Sequence, residues 1–308
     1  MDQILYLAQQ LLNAFQIALL YALIAVAYVL FHGVAGRFNL AFGALAGWAS
    51  YTTLAVFAWD LTLRGVPDLV VLGLAVAGGV AASAALGLTV ARSVRPILSA
   101  PPLSVLVATL GWGIAIEEAM RLAAGSRELW LSPMLGEPVL AMRLGSGAVQ
   151  ATGMQLLVWG AAALAIATVL VAMRRSAYGR LWRSVSQDPR MAALLGVDVG
   201  RVYAMTALIA ASLAGLSGAL NGLAYGNATF HGGFVVAVKA LFVAILGGLT
   251  SPAGAVVGAS VLAVLESLWS AYFPGDYRDV VVFVVLAALV VCRPGGLGGG
   301  AHARESRV

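Results

Sequence analysis

The segment RRSAYGRLWRSVSQDPRMAALLGVDVGR, residues 174–201, decides how the chain is threaded. It separates two long apolar runs, at about 152–173 and about 202–226. It carries Arg174, Arg175, Arg180, Arg183, Arg190 and Arg201, opposed only by Asp188 and Asp198. Arginine and lysine collect in the cytoplasmic loops of membrane proteins, so this loop is read as lying inside. Two spans earlier, Arg92 and Arg95 of ARSVRP fall on the same side. The later turn LTSPAG is nearly uncharged, and the tail with Arg293, Arg304 and Arg307 again falls inside. Counting back from the arginine loop puts the N-terminus outside. The long loop at about 122–151, with mixed charges, is outside too.

Working outward, the composition agrees. Of 308 residues, 61% are hydrophobic and 10% charged, against about 25% charged in a soluble domain. Mean hydropathy is +0.95. Apolar runs fall at about 10–31, 40–59, 69–91, 103–121, 152–173, 202–226, 234–249, 253–272 and 279–292. At about 20 residues per transmembrane helix, these runs occupy most of the chain. The expected fold is an all-α polytopic membrane protein with about eight to ten transmembrane helices, some broken or re-entrant. Residues 1–308 are read as one transmembrane domain, with the cytoplasmic loop at about 174–201. The N-terminus begins MDQ, with an acid where a secretory signal carries cations, and its apolar run is too long for one. It is expected to be the first helix.

Several chemistries are excluded. Cys292 is the only cysteine, so neither a disulfide framework nor a cysteine-rich metal site is available, and it reads as a small apolar residue near the end of the last span. The only lysine, Lys239, lies in VAVKALF, so the chain has no Walker phosphate loop. His32, His231 and His302 are far apart, and no H-E-x-x-H or G-x-S-x-G is present. The net charge of +5 reports orientation rather than nucleic-acid binding. Any work the protein does must draw on an ion gradient or on a partner subunit.

Two kinds of segment are candidates for function. Within the arginine loop, Asp188-Pro189 reads as a helix cap followed by a first-turn proline. Met191, Leu194 and Leu195 then form an apolar face, and Gly196 suits the helix end. Such a helix either lies on the membrane lipid or docks in a groove on a soluble partner. The second kind is an internal echo. GVAGRFNLAFGALAGWAS near residue 33 and GGLTSPAGAVVGASVL near residue 247 both interrupt an apolar run. Each then presents a small-residue step, Gly43/Gly47 and Gly254/Gly258. Paired interruptions point to a broken-helix translocation region.

Polar residues inside spans are costly and usually purposeful. Lys239 and Glu266 lie at matching depth in consecutive spans and are expected to pair, as a wall of a pathway or as an inter-helix tie. Glu117 can pair with Arg121 at the outer end of its helix. Asn13, Gln16, Asn39, Asn221 and Tyr225 are expected to face protein or a cavity. Asn39 stands out because it occupies the interrupted turn, with Phe42 beside it. Trp48, Trp112, Trp159 and Trp269 read as packing or interfacial residues.

The arginine loop resembles the cytoplasmic loop of permeases from branched-chain amino-acid ABC importers. That family carries S-x-x-G-R-x-x-R-A-x-x-Q-D-x-x-x-A-x-x-x-G-I, and here the stretch reads SAYGRLWRSVSQDPRMAALLGVDVGRV. In the same order along the chain, ALLYALIAVAYVLFHGVAGRFNLAFG resembles the family's first span and its following turn, VKALFVAILGGLTSPAGAVVGA its late glycine-rich segment, and LESLWSAYFPGDYRDVVVFVVLAALVVCRPGGLGG its final helix and terminal P-x-G-L-x-G. Departures occur near the expected pathway. Asn39-Leu40-Ala41-Phe42-Gly43 stands where the family usually has N-F-A-H-G, and Pro252-Ala253-Gly254-Ala255 where it has P-G-A.

The resemblance implies a translocation subunit of the bacterial inner membrane, not an enzyme. It implies a second permease subunit, usually a paralogous chain, and two cytoplasmic ATPase subunits that hold ATP and magnesium. It also implies a periplasmic substrate-binding protein, and no cofactor in this chain. Gly179, Arg180, Asp188, Ala192, Ala193, Leu194, Leu195 and Gly196 would belong to the coupling element. Leu194 and Leu195 would be its apolar anchors, and Arg180 and Arg183 its polar rim. Asn13, Gln16, Asn39, Phe42, Asn221, Lys239 and Glu266 are the expected pathway residues. Related permeases carry urea, short amides or aromatic acids. A self-sufficient ion-coupled transporter would explain broken helices but not a cytoplasmic helix with an apolar face, and an intramembrane enzyme lacks a catalytic constellation.

Overall fold

A computed structural model describes residues 2–60, 68–125, 128–131, 135–144, 147–230 and 232–292. The helices in chain order are α1 (Asp2–Ala35), α2 (Ala41–Asp60), α3 (Asp68–Val94), α4 (Pro102–Ala124), α5 (Gly153–Arg175) and α6 (Ala177–Gln187). They continue as α7 (Pro189–Leu194), α8 (Val199–Tyr225), α9 (Gly233–Gly247), α10 (Pro252–Tyr272) and α11 (Arg278–Cys292). Seven of them, α1 to α5, α8 and α10, contain stretches long and apolar enough to cross a membrane. The nine apolar runs of the sequence thus each form one helix, but two are short. The 15 residues of α9 reach only about 22 Å, less than a hydrocarbon core of about 30 Å.

The centre of the bundle is α1. Leu23, Ala25, Val29 and Leu30 are fully buried, and the helix packs against α10, α8, α5 and α9. Peripheral helices keep apolar residues on the outside, among them Leu74, Val107, Ile114 and Leu164. An apolar exterior is what a lipid solvent demands. Between α2 and α8 the backbones nearly touch. A Cβ on Gly218 would collide with the Ala46 carbonyl, so only glycine permits this crossing.

The echo glycines have a related use. Gly43 of α2 lies against the backbone of Gly233, and Gly258 of α10 against the Val243 carbonyl, so both steps bring a neighbouring helix close to α9. The interruption near residue 36 is not a break within a span. It is the turn joining two full-length helices, α1 and α2. The irregular backbone lies instead just before α9.

That irregular stretch pairs with the outer loop. Strand β1 (Leu129–Trp130) runs antiparallel to β4 (Asn227–Ala228), and β2 (Pro138–Leu144) pairs with β3 (Gly147–Thr152). The loop at 122–151 therefore contains strands that the sequence reading did not anticipate. Gln9 of α1 exchanges two hydrogen bonds with the Gln150 backbone, at 2.8 and 3.1 Å. This ties the start of α1 to the strand-bearing face. On the opposite face, the Arg95 guanidinium lies against Gly200 at the start of α8. Arg92, Arg95 and the loop 174–201 thus share one side, and the start of α1 the other. The tail arginines Arg293, Arg304 and Arg307 lie outside the described residues.

Candidate functional site

Two regions carry the candidate residues, one on each side of the bundle. On the arginine-rich face, the loop folds into α6, α7 and a short return to α8. Asp188 is the cap of α7, accepting from Arg190 N at 2.8 Å and Met191 N at 3.0 Å, with Pro189 in the first turn. Gly196 follows the helix at φ +83°, a conformation that favours glycine. Ala192 is buried with Val185 and Val202, which seats α7 on α6 and α8. Met191, Leu194 and Leu195 point away from this seat, at 59%, 82% and 84% exposure. The expected apolar face therefore exists, on a base the chain itself makes rigid.

The structure divides the other loop residues by what they touch. Ala193 and Arg180 are exposed. Arg183 donates to the Met173 carbonyl and so closes the end of α5. Gly179 is buried where a Cβ would collide with that same carbonyl, so it serves the α5–α6 turn and not a surface. The sequence reading missed α6 as a helix. Its buried residues Gly179, Trp182 and Val185 recur at the helical spacing that could have revealed it. Trp182 is the one that reaches α1. Its indole donates to the Leu30 carbonyl at 3.0 Å and fills the space over Gly33 of α1.

Toward the strand-bearing face lies a cavity of about 590 Å³. Residues of α1, α2, α4, α8, α9 and α10 form it, together with Asn227, Ala228, Thr229, Phe230 and Gly232 just before α9 and Arg278 at the start of α11. Irregular backbone at this depth is tolerated where it borders a cavity. Of the expected pathway residues, Asn221 and Glu266 line the cavity, as does Tyr225. Lys239 stands behind Glu266. Its Nζ donates to Glu266 Oε1 at 2.9 Å and to Asp279 Oδ1 at 2.8 Å. Arg278 Nε lies 3.3 Å from both Glu266 Oε1 and Asp279 Oδ1. Two cations and two anions thus form one neutral cluster, with Lys239 and Glu266 buried. The sequence reading paired Lys239 with Glu266 but overlooked Arg278 and Asp279. These stand at the outer start of the last span, level with the other two.

The remaining candidates lie elsewhere. Asn39 is buried and accepts from Ala41 N at 3.0 Å, which caps the start of α2. Phe42 packs edge-on against Tyr28 and Phe31 in the core. Gln16 is buried in α1, and Asn13 is half-buried on the same helix. None of these four lines the cavity. Arg121 pairs with Glu118 at the outer end of α4, and Glu117 lines the cavity wall. Cys292 is exposed.

Comparison with known proteins covers nearly the whole chain. Residues 10–290 match a family model described as the permease component of branched-chain amino acid transport systems. The chain is 32% identical over 302 residues to the high-affinity branched-chain amino acid transport system permease protein LivH of Escherichia coli, covering 97% of both chains. It is 30% identical over 301 residues to the permease protein BraD of Pseudomonas aeruginosa, covering 97% of this chain and 98% of that one. A probable branched-chain amino acid transport permease of Methanocaldococcus jannaschii is 23% identical over 132 residues, 41% of this chain and 42% of its own. No solved structure matches.

Proposed function

The chain belongs to the family of branched-chain amino acid transport permeases, and from that premise we propose how it works in an ATP-driven importer. It is a multi-pass protein of the inner membrane and a transport subunit rather than an enzyme. In this reading it pairs with a second, paralogous permease subunit. Two cytoplasmic ATPases bind the arginine-rich face and hold the ATP and magnesium. A periplasmic binding protein delivers the amino acid to the strand-bearing face.

The observation that carries the reading is α7. A capped helix with a buried alanine on one side holds Met191, Leu194 and Leu195 out in solvent. Exposed leucines on a rigid helix are suited to a groove on a partner, where they become the central anchors. When the ATPases close, a rigid helix seated in them must move with them. The motion reaches α1 through α6, because Trp182 is hydrogen-bonded to Leu30 and packed on Gly33. In α1, Ile17, Leu20, Tyr21 and Ile24 line the cavity, so shifting this helix reshapes the site. A self-sufficient transporter gives α7 no such task.

The test is leucine uptake into proteoliposomes holding the full complex, with ATP and the binding protein. Wild type should accumulate leucine only with ATP. Leu195→Asp should lower uptake and substrate-stimulated ATP hydrolysis at least tenfold. Uptake that persists without ATP, or that survives Leu195→Asp, would remove the reading.

A further inference from the structure

Arginines gather at the inner ends of α3 and α8, where the chain offers them little opposing charge. Arg95, just past α3, lays its guanidinium on Gly200 in the first turn of α8, one residue from Arg201. A Cβ on Gly200 would collide with Arg95 Nη2. Gly200 has no positive φ, so the backbone does not call for glycine there. Glycine is a poor helix residue, and what it supplies at this position is a seat for Arg95. Arg92 is exposed in the last turn of α3. Among the described residues, none of these three guanidiniums takes part in an ion pair. Asp198, the acid nearest in sequence, caps α8 by accepting from Arg201 N at 3.0 Å. Cations held together in this way repel one another unless an anion lies between them. The surface leading to them is apolar. On α8, Met205 and Leu208 follow Arg201 at helical spacing and are 42% and 41% exposed. On α3, the exposed Ala81, Ala85 and Thr89 lead to Arg92 in the same way. The two helices pack together, so both stripes descend to one group of arginines. The 27 residues of α3 reach about 40 Å against a hydrocarbon core of about 30 Å, which sets Arg92 and Arg95 at the level of the lipid headgroups.

We propose that Arg95 and Arg201, with Arg92 beside them, bind the phosphate of an anionic phospholipid of the inner leaflet, whose acyl chains lie on the exposed stripes of α3 and α8. Guanidinium groups hold phosphate oxygens through charge-assisted hydrogen bonds, which are the stronger kind. Basic clefts between transmembrane helices on the cytoplasmic side suit anionic headgroups. A soluble anion would use the arginines and leave the apolar stripes without a role. A second permease is a poor occupant, because the inward bias of arginine would set its own cations against these. Gly200 makes the site one of position as well as charge, since it fixes where the Arg95 guanidinium rests. Such a site is independent of what the chain transports.

The protein, purified with whatever subunits accompany it, is stripped of lipid in detergent and titrated with radiolabelled phosphatidylglycerol. Competitors are phosphatidylcholine, glycerophosphoglycerol and inorganic phosphate. Wild type should bind phosphatidylglycerol, with each competitor at least tenfold weaker. The double variant Arg95→Gln/Arg201→Gln should weaken the lipid at least fivefold. Gly200→Leu keeps every charge and should weaken it at least threefold, because Arg95 loses its seat. Arg174→Gln/Arg175→Gln removes two cations from the end of α5 and should leave binding within twofold of wild type. Equal losses in the two double variants would reduce the effect to general surface charge and overturn the proposal. Competition by glycerophosphoglycerol or phosphate as strong as by the lipid would assign a soluble anion and overturn it too. So would an Arg95→Gln/Arg201→Gln variant that binds lipid normally but loses an accompanying subunit, since the surface would then belong to that partner. If Gly200→Leu fails to fold, the contrast between the two double variants decides alone.

Discussion

Leu194 and Leu195 are apolar and stand 82% and 84% exposed at the arginine-rich face, whereas Lys239 and Glu266 are charged and only 3% and 7% exposed inside the bundle. Each region sets its residues against their ordinary preference, in opposite directions. The difference lies in what offsets the mismatch. The buried charges neutralise one another within the chain, so removing one leaves its partners stranded and should be felt in stability. The leucines touch little of their own chain, so whatever offsets their exposure lies outside it. Removing them should be felt in coupling and hardly in folding. The comparison therefore assigns one region to holding the cavity together and the other to meeting a partner.

The largest expected effect comes from the charged cluster. Lys239→Met leaves Glu266 and Asp279 with only the half-exposed Arg278 between them. Breaking one side of a buried ion pair costs about 3–5 kcal/mol, so the thermal midpoint of the purified protein should fall sharply. Adding Glu266→Leu should recover most of the loss, because Arg278 and Asp279 remain to neutralise each other at 3.3 Å. A Lys239→Met variant as stable as wild type would break the comparison, since the cluster would then be solvated like any surface.

A smaller effect is expected where the two regions are joined. Trp182→Phe removes the bond to the Leu30 carbonyl and part of the volume over Gly33. Together these should cost about 1–3 kcal/mol. The sharper readout is coupling. Basal ATP hydrolysis by the complex should persist while leucine uptake per ATP hydrolysed falls, because α6 would no longer grip α1. Unchanged stoichiometry would show that motion reaches the cavity by another route.

Much of this arrangement was legible in the sequence, and the misses share a cause. The arginine loop, the Asp188 cap and the exposed leucines follow from local pattern, where a residue's neighbours in sequence are its neighbours in space. The Lys239–Glu266 pair was legible because depth along two consecutive spans can be counted. Arg278 and Asp279 escaped because their role depends on α11 starting level with those two, which a span boundary alone does not fix. Asn39 reads as a pathway residue because it occupies an interrupted turn, yet its side chain caps α2. The family resemblance places Gly179 in the coupling element, yet the chain folds back on Met173 there and buries it. The strands at 129–130 and 227–228 pair residues almost a hundred positions apart, beyond any local signal.

The smallest effect tests whether α7 acts by its shape or by its charge. Asp188 is exposed, and its carboxylate accepts from two backbone N–H groups at the start of a six-residue helix. Removing such a cap costs about 1 kcal/mol, which in a helix this short is enough to fray it. Asp188→Ala should barely move the thermal midpoint of the whole protein, because α7 contributes little to the core. It should still lower leucine uptake several-fold, because Leu194 and Leu195 would lose their fixed direction. Asp188→Asn decides the cause. Asparagine caps about as well as aspartate but carries no charge. Uptake restored in Asp188→Asn would show that the partner reads the shape of the helix. Uptake as low as in Asp188→Ala would show that the partner reads the carboxylate itself, and the apolar region would then depend on a charge as the cavity does.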